Sequence, residues 1–127
     1  MIWANVSVKD ANRTREFYTK LGLKSNKFGD VPNLASFLFG DHDFVIHFFE
    51  EGSQIDEYLP AGPITKSEIM FTLSAETEAE VNEWAAKVKQ AGGKLSKEPQ
   101  RDEAGYYGFA FADPDGHKFN VLLMDNM

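Results

Sequence analysis

The chain has 127 residues, which is enough for one domain with a hydrophobic core and too few for two independent domains. Its net charge of −7 disfavours binding to nucleic-acid phosphates or anionic lipids, because like charges repel. It has no cysteine, which excludes disulfides and thiolate chemistry, and no apolar run long enough to span a membrane. The N-terminal residues lack the pattern of a secretory signal, so we expect a cytoplasmic protein.

The first half of the chain predicts one helix and four strands. Residues 2–8 alternate between apolar and polar side chains, which indicates a strand. Asp10 can cap the helix that follows, and Gly22 is placed to end it. Further strands are predicted near 23–28, 33–39 and 44–49.

The second half repeats this plan after a predicted linker at 51–63. A strand is predicted at 69–73, and Thr77 with Glu80 forms the pair typical of a capping box. We expect Trp84 to pack under the sheet as part of the apolar helix face. Three strands then follow, near 94–97, 106–112 and 118–124.

These patterns predict a single domain, 1–127, made of module 1–50, the linker and module 64–127. Aligning Trp3 with Glu68 gives an internal repeat of about 65 residues. Each module has the order β-α-β-β-β, which predicts an α+β fold. We expect the two tandem modules to form a cup-shaped mixed β-sheet with the helices on its convex face.

Alternation along the strands predicts which side chains line the cup, because successive residues point to opposite faces. The even positions of the first strand, beginning with Ile2, should meet the helix, and so should Ile69 and the alternate residues after it. The other face should carry the ligand-binding side chains. These are Trp3, Asn5, Ser7, His47, Glu68, Met70 and Asn120.

Several motifs give the chain a family resemblance. They are residues 8–10, 15–23 and 91–93, together with the turn Asp113-Pro114-Asp115-Gly116-His117. In order and spacing they resemble the vicinal-oxygen-chelate superfamily, which contains glyoxalase I, extradiol dioxygenases and the bleomycin- and fosfomycin-resistance proteins. The resemblance covers essentially the whole chain and implies the glyoxalase/bleomycin-resistance fold.

The resemblance also implies where a metal would bind, since metalloenzymes of the superfamily place one ligand on the first and fourth strand of each module. The matching positions are Trp3, His47, Glu68 and Asn120. Divalent Ni, Zn, Mn or Fe needs His or carboxylate ligands, whereas tryptophan cannot coordinate and an amide is a weak donor. Only His47 and Glu68 are competent, so we expect neither a catalytic metal nor another cofactor.

Three functions remain open at this point. The abundance of aromatic residues favours a homodimeric protein that binds a small aromatic or amphipathic molecule, and the acidic charge suits a cationic ligand. The alternative is a metal-dependent lyase, isomerase or dioxygenase of the glyoxalase type. In that case His47 would be a ligand, and Glu68 would be a second ligand or the catalytic base. The third function is structural or regulatory, with the cup filled by the side chains of Trp3, Met70 and the phenylalanines.

Overall fold

The computed structural model describes residues 1–26, 31–59 and 69–124. The chain divides into two compact units, Met1–Thr65 and Lys66–Met127. Each unit consists of one four-stranded mixed sheet and one helix in the order β-α-β-β-β. This arrangement confirms the predicted α+β class and the predicted order of elements in both halves.

The first unit contains β1 (Ala4–Val8), α1 (Ala11–Lys20), β2 (Lys24–Ser25), β3 (Leu34–Phe39) and β4 (Phe44–Glu50). Its sheet order is β1-β4-β3-β2, with β1 parallel to β4 and the other neighbours antiparallel. Asp10 caps α1, because its Oδ1 accepts hydrogen bonds from the amides of Asn12 and Arg13 at 2.9 and 3.2 Å. The strand predicted at 23–28 is shorter here, and its last two residues lie outside the described part.

The second unit contains β5 (Met70–Ala75), α2 (Glu78–Gln90), β6 (Lys94–Arg101), β7 (Tyr107–Ala112) and β8 (Lys118–Leu123). Its sheet order, β5-β8-β7-β6, repeats that of the first unit. Within the described residues, neither helix is long and apolar enough to cross a membrane.

Two local features of the second unit differ from the sequence prediction. Thr77 Oγ1 accepts a hydrogen bond from the Glu80 amide at 3.1 Å, as a capping box requires. The Glu80 carboxylate, however, accepts from the amide of Glu76 at 2.9 Å and not from that of Thr77. Strand β6 also continues to Arg101, beyond the predicted 94–97. Among the described strands β6 pairs with β7 alone, and their register shifts between Leu95 and Gln100. Such an edge strand can accommodate Pro99, although the sequence there shows no alternation.

Aromatic side chains dominate the core of each unit. In the first, the fully buried Tyr18 of α1 lies 4.7 Å from the Phe48 ring centroid and 5.6 Å from that of Phe37. In the second, Phe111 stacks on Phe119 at 5.2 Å with an interplanar angle of 7°. Helix α2 covers that sheet with its buried residues Val81, Ala85 and Val88. Trp84 is only half-buried, so it lies at the margin of this core.

The predicted alternation holds inside the strands and is wrong just before them. Ile46 and Phe48 of β4 are buried, while His47 between them is half-buried on the other face. Ile2 and Ile69 were expected to face the helices, but they are 79% and 59% exposed. Both precede the first residue of their strand, where no ladder fixes the side to which a side chain points.

The Asp-Pro-Asp-Gly-His turn connects β7 to β8 and is held by its first residue. The buried Asp113 accepts hydrogen bonds through Oδ1 from the amides of Asp115 and His117, both at 2.9 Å. Gly116 has a φ of 90°, a conformation that a residue with a Cβ adopts at a cost. This turn joins the two strands in the register that pairs Asn120 of β8 with Ala110 of β7.

Candidate functional site in the first unit

A row of polar residues crosses the sheet of the first unit on the face turned away from α1. In the ladder, His47 is paired with Asn5 of β1 on one side and with Ser36 of β3 on the other. Asn26 extends the row, since its Nδ2 donates to Ser36 Oγ at 3.2 Å and its amide donates to Ser36 O at 2.9 Å. Directly paired residues share one face of a sheet, so these four side chains form one polar row.

A cavity of about 500 Å³ lies over one end of the polar row. We call it the first-unit cavity. Its lining combines aromatic and aliphatic side chains with two amides and one imidazole. The lining residues are Trp3, Asn5, His47, Phe49, Gln54, Ile55, Tyr58 and Leu59. The described side chains of the first unit, taken by itself, leave this cavity open, and the structural or regulatory reading of the whole cup stays a prediction.

One wall of the first-unit cavity comes from the segment that the sequence analysis treated as linker. A one-turn 3₁₀ helix, Gln54–Glu57, places Ile55 against the sheet, where it is 4% exposed. Asp56 Oδ2 accepts from the Gly52 amide at 2.9 Å, and Ser53 Oγ donates to Glu50 O at 2.6 Å. These bonds attach the segment to the end of β4.

His47 supplies the imidazole in the described lining of the first-unit cavity. Its ring makes an edge contact with Phe49, with 5.7 Å between the centroids. Its Nδ1 is buried and has no hydrogen-bond partner among the described residues. Burial lowers the pKa of His47 below 6.5, because a charged imidazolium would lose hydration there. Near neutral pH the ring is uncharged and offers one donor and one acceptor.

The structure brings together Trp3, Asn5 and His47 from the predicted ligand-binding set. Ser7 is half-buried on β1 and paired with Phe49, but it does not line the cavity. Whether any of these residues binds a ligand stays a prediction.

The remaining predicted residues belong to the second unit. Met70 begins β5 and is 51% exposed. Asn120 is half-buried on β8, where its Oδ1 accepts from Thr72 Oγ1 at 2.6 Å. Glu68 lies outside the described residues.

Sequence reasoning missed Gln54, Ile55, Tyr58 and Leu59 as lining residues, because turn-forming residues on both sides suggested a linker. One signal was available. Ile55, Tyr58 and Leu59 are spaced at i, i+3 and i+4, which is the apolar pattern of a single helical turn.

The two ladders change the alignment of the halves. Asn5 is paired with His47 in the first unit, and Thr72 is paired with Asn120 in the second. The residue two positions before Asn5 is Trp3, and the residue two positions before Thr72 is Met70. The capping residues Asp10 and Thr77 give the same offset. Met70, and not Glu68, therefore occupies the position that matches Trp3.

The residues at the superfamily's ligand positions do not fit a divalent metal. In 1–26, 31–59 and 69–124, no three His, Cys, Asp or Glu side chains come together. His47 has Trp3 and Asn5 beside it in the cavity, and the Asn120 oxygen already accepts a hydrogen bond from Thr72. A single imidazole with amide and indole neighbours lacks the anionic or imidazole ligands that such ions prefer.

Duplicated β-α-β-β-β units with matching strand order, and an open polar row in the first, define a recognisable class of small α+β proteins. The model of the Glyoxalase/Bleomycin resistance protein/Dioxygenase superfamily matches residues 1–121, and the chain belongs to this superfamily. This confirms the resemblance inferred from the sequence motifs.

Solved structures agree with this assignment over nearly the whole chain. A hypothetical protein from S. aureus is 31% identical with a TM-score of 0.83, covering 97% of this chain and 92% of that one. A glyoxalase-related enzyme from Fulvimarina pelagi is 18% identical with a TM-score of 0.81, covering 97% and 87%. A fosfomycin resistance protein from Mesorhizobium loti is 16% identical with a TM-score of 0.68, covering 99% and 92%. The last two likenesses concern the fold alone, and the curated proteins contain no match to this chain.

Proposed function

We propose that this protein binds a small aromatic or amphipathic molecule in the first-unit cavity, without a catalytic metal or other cofactor. The observation that carries the proposal is the cavity itself. Its volume of about 500 Å³ falls within the range of small-molecule sites, and apolar side chains dominate its lining, with a few polar groups among them. Trp3, Phe49 and Tyr58 supply flat surfaces on which a ring can stack.

The chemistry of the site favours binding over catalysis. His47 is the one imidazole of the described lining, and it has neither a carboxylate nor a cation beside it there. A general base is usually oriented by a second polar group, and the described residues provide none for its Nδ1. The homodimer and the cytoplasmic location expected from the sequence stay predictions.

The two tryptophans make the test specific to the site. Trp3 lines the first-unit cavity and is 48% exposed, whereas Trp84 lies on α2 and does not line it. In ¹⁵N-labelled protein each gives one indole N–H resonance, which the variants Trp3→Phe and Trp84→Phe assign. We expect members of a panel of aromatic and amphipathic compounds to shift the Trp3 resonance saturably and to leave that of Trp84 in place.

Thermal unfolding provides the second readout of the same panel. At a ligand concentration of 100 times Kd, binding to the folded state adds about 2.7 kcal/mol to the free energy of unfolding. For a chain of this length that corresponds to a Tm increase of roughly 10 °C. A panel that moves neither the Trp3 resonance nor the Tm would refute the proposal.

The metal-dependent lyase or dioxygenase is a second candidate because of one observation: His47, at one of the superfamily's ligand positions, lines the first-unit cavity. Calorimetric titration of Ni, Zn, Mn and Fe(II) into the wild type and His47→Gln tests it. We expect no stoichiometric binding and no turnover of the methylglyoxal–glutathione adduct. Tight binding that His47→Gln abolishes, with turnover that Glu68→Gln abolishes, would put this candidate in place of the first.

A further inference from the structure

The described lining of the first-unit cavity carries no Asp, Glu, Lys or Arg. A second cavity of about 320 Å³ shares Phe49 and Gln54 with it. The rest of its described lining is likewise without formal charge, and consists of Val31, Pro32, Asn33, Leu34 and Ser53. Two adjoining cavities whose described linings carry no charged residue are unexpected in a chain of net charge −7.

Three charged residues close to these cavities are bonded to backbone groups. Arg15 donates through Nη2 to the carbonyl oxygens of Leu34 and Val31 at 2.8 and 3.3 Å. Glu50 Oε1 accepts from the Ala11 amide at the start of α1 at 3.0 Å. Asp56 Oδ2 accepts from the Gly52 amide. These three charges support the walls and do not line either cavity.

The polar groups that do line the first-unit cavity are of one kind. Asn5 and Gln54 each carry an amide with a donor and an acceptor, and a neutral His47, whose Nδ1 is buried, can offer its other ring nitrogen. Such groups match an uncharged planar group that also donates and accepts. A charged ligand would give up its hydration without meeting a counter-charge, which costs several kcal/mol.

We infer that the ligand of the first-unit cavity is an uncharged aromatic molecule with a hydrogen-bonding edge, such as a carboxamide or an N-heterocycle, and that the cavity rejects charged analogues. This inference rests on the proposed function. It also reverses the expectation from net charge, which favours a cationic ligand. Net charge acts at long range and mainly on the rate of encounter, whereas selectivity depends on the groups that touch the ligand.

A series of equal shape and different charge tests the inference. The probes are 2-naphthamide, 2-naphthoate and 2-naphthamidine, titrated at one ionic strength with the Trp3 indole resonance as readout. We expect the amide to bind at least about tenfold more tightly than either charged probe, which corresponds to about 1.4 kcal/mol. Equal or tighter binding of the amidine or the carboxylate would overturn the inference.

A charge placed in the lining should reverse the preference. Gln54 is exposed on the 3₁₀ helix, so Gln54→Glu should fold and should favour the amidine over the amide. Gln90→Glu at the end of α2 is the matched control, because it changes the net charge equally and lies outside both linings. Identical effects of the two variants would show that only net charge matters, and the inference would fall.

The outcomes separate this inference from the proposed function. If compounds of the panel bind but the charged ones bind best, the cavity is a binding site and the inference alone is wrong. If no compound of any charge moves the Trp3 resonance or the Tm, the proposed function fails and the inference fails with it. Should the naphthyl ring be too large, ranking the binders of the panel by charge gives the same decision.

Discussion

Gly108 is the position where the structure predicts a stability change opposite to that expected from residue preferences. It lies buried in β7, paired with Leu122 of β8 and with Gln100 of β6. A Cβ added there would be 2.2 Å from the carbonyl oxygen of Val121 and 2.7 Å from Leu122 Cδ2. Real Cβ contacts are essentially never shorter than 3.0 Å, so Gly108→Ala forces part of the ladder between β7 and β8 to move.

The expected magnitude is the balance of two opposing effects. Replacing glycine by alanine reduces the freedom of the unfolded chain and stabilises by about 0.4–1 kcal/mol where the backbone permits. Overpacking costs about 1–3 kcal/mol, and a ladder hydrogen bond weakened by the shift costs about 1 kcal/mol more. We therefore expect Gly108→Ala to lower the free energy of unfolding by about 2 kcal/mol.

Urea unfolding followed by circular dichroism measures this loss. Because the closest atom is backbone, trimming the partner side chain with Leu122→Ala should rescue little of it in the double variant. Full rescue would mean that the conflict is with Leu122 alone. A Gly108→Ala protein as stable as the wild type, or more stable, would refute the geometric argument, because unfolded-state freedom would then have decided the sign.

Two further predictions concern His47 and Trp84. Because burial lowers the pKa of His47 in the folded state, the unfolded chain binds a proton that the folded chain does not, in the window below pH 6.5. Stability is therefore retained above pH 6.5 and decreases as the pH falls through the lowered folded value. His47→Gln should reduce this decrease in thermal unfolding, and a pH profile equal to that of the wild type would contradict the assignment. Because Trp84 is half-buried, we expect Trp84→Ala to lower the free energy of unfolding by about 1–2 kcal/mol, against about 3–5 kcal/mol for Phe111→Ala. Equal losses in urea unfolding would mean that Trp84 belongs to the core.

The sequence was sufficient to predict the order of elements, because strand alternation and helix caps are local signals. Asp10 and Gly22 mark the ends of α1 by their own hydrogen bonding and backbone freedom. Within β4, the alternation around His47 predicts the buried Ile46 and Phe48, because a strand with one face packed against a helix has a period of two.

The wall of the first-unit cavity could not be predicted in the same way. Ile55 is buried because the segment folds back on the sheet, where hydrogen bonds of Asp56 and Ser53 hold it. The periodicity of the sequence does not predict these contacts. The alignment of Trp3 with Glu68 was wrong for a different reason, because it did not use the two helix caps as reference points. The strand-to-cap spacing is the same in both halves, with Asn5 and Thr72 each five positions before the cap, and this spacing equates Trp3 with Met70 as the ladders do.

The strand order also bears on how the chain acquires its structure during synthesis. In each unit the first strand pairs with the last, as Ala4 does with Ile46 and Met70 with Lys118. Neither sheet can be completed until its fourth strand has left the ribosome, so β1 and β5 wait unpaired while the intervening hairpin forms. Because the first unit needs nothing beyond Glu50 to close its ladder, its sheet can form while the second unit is still being translated.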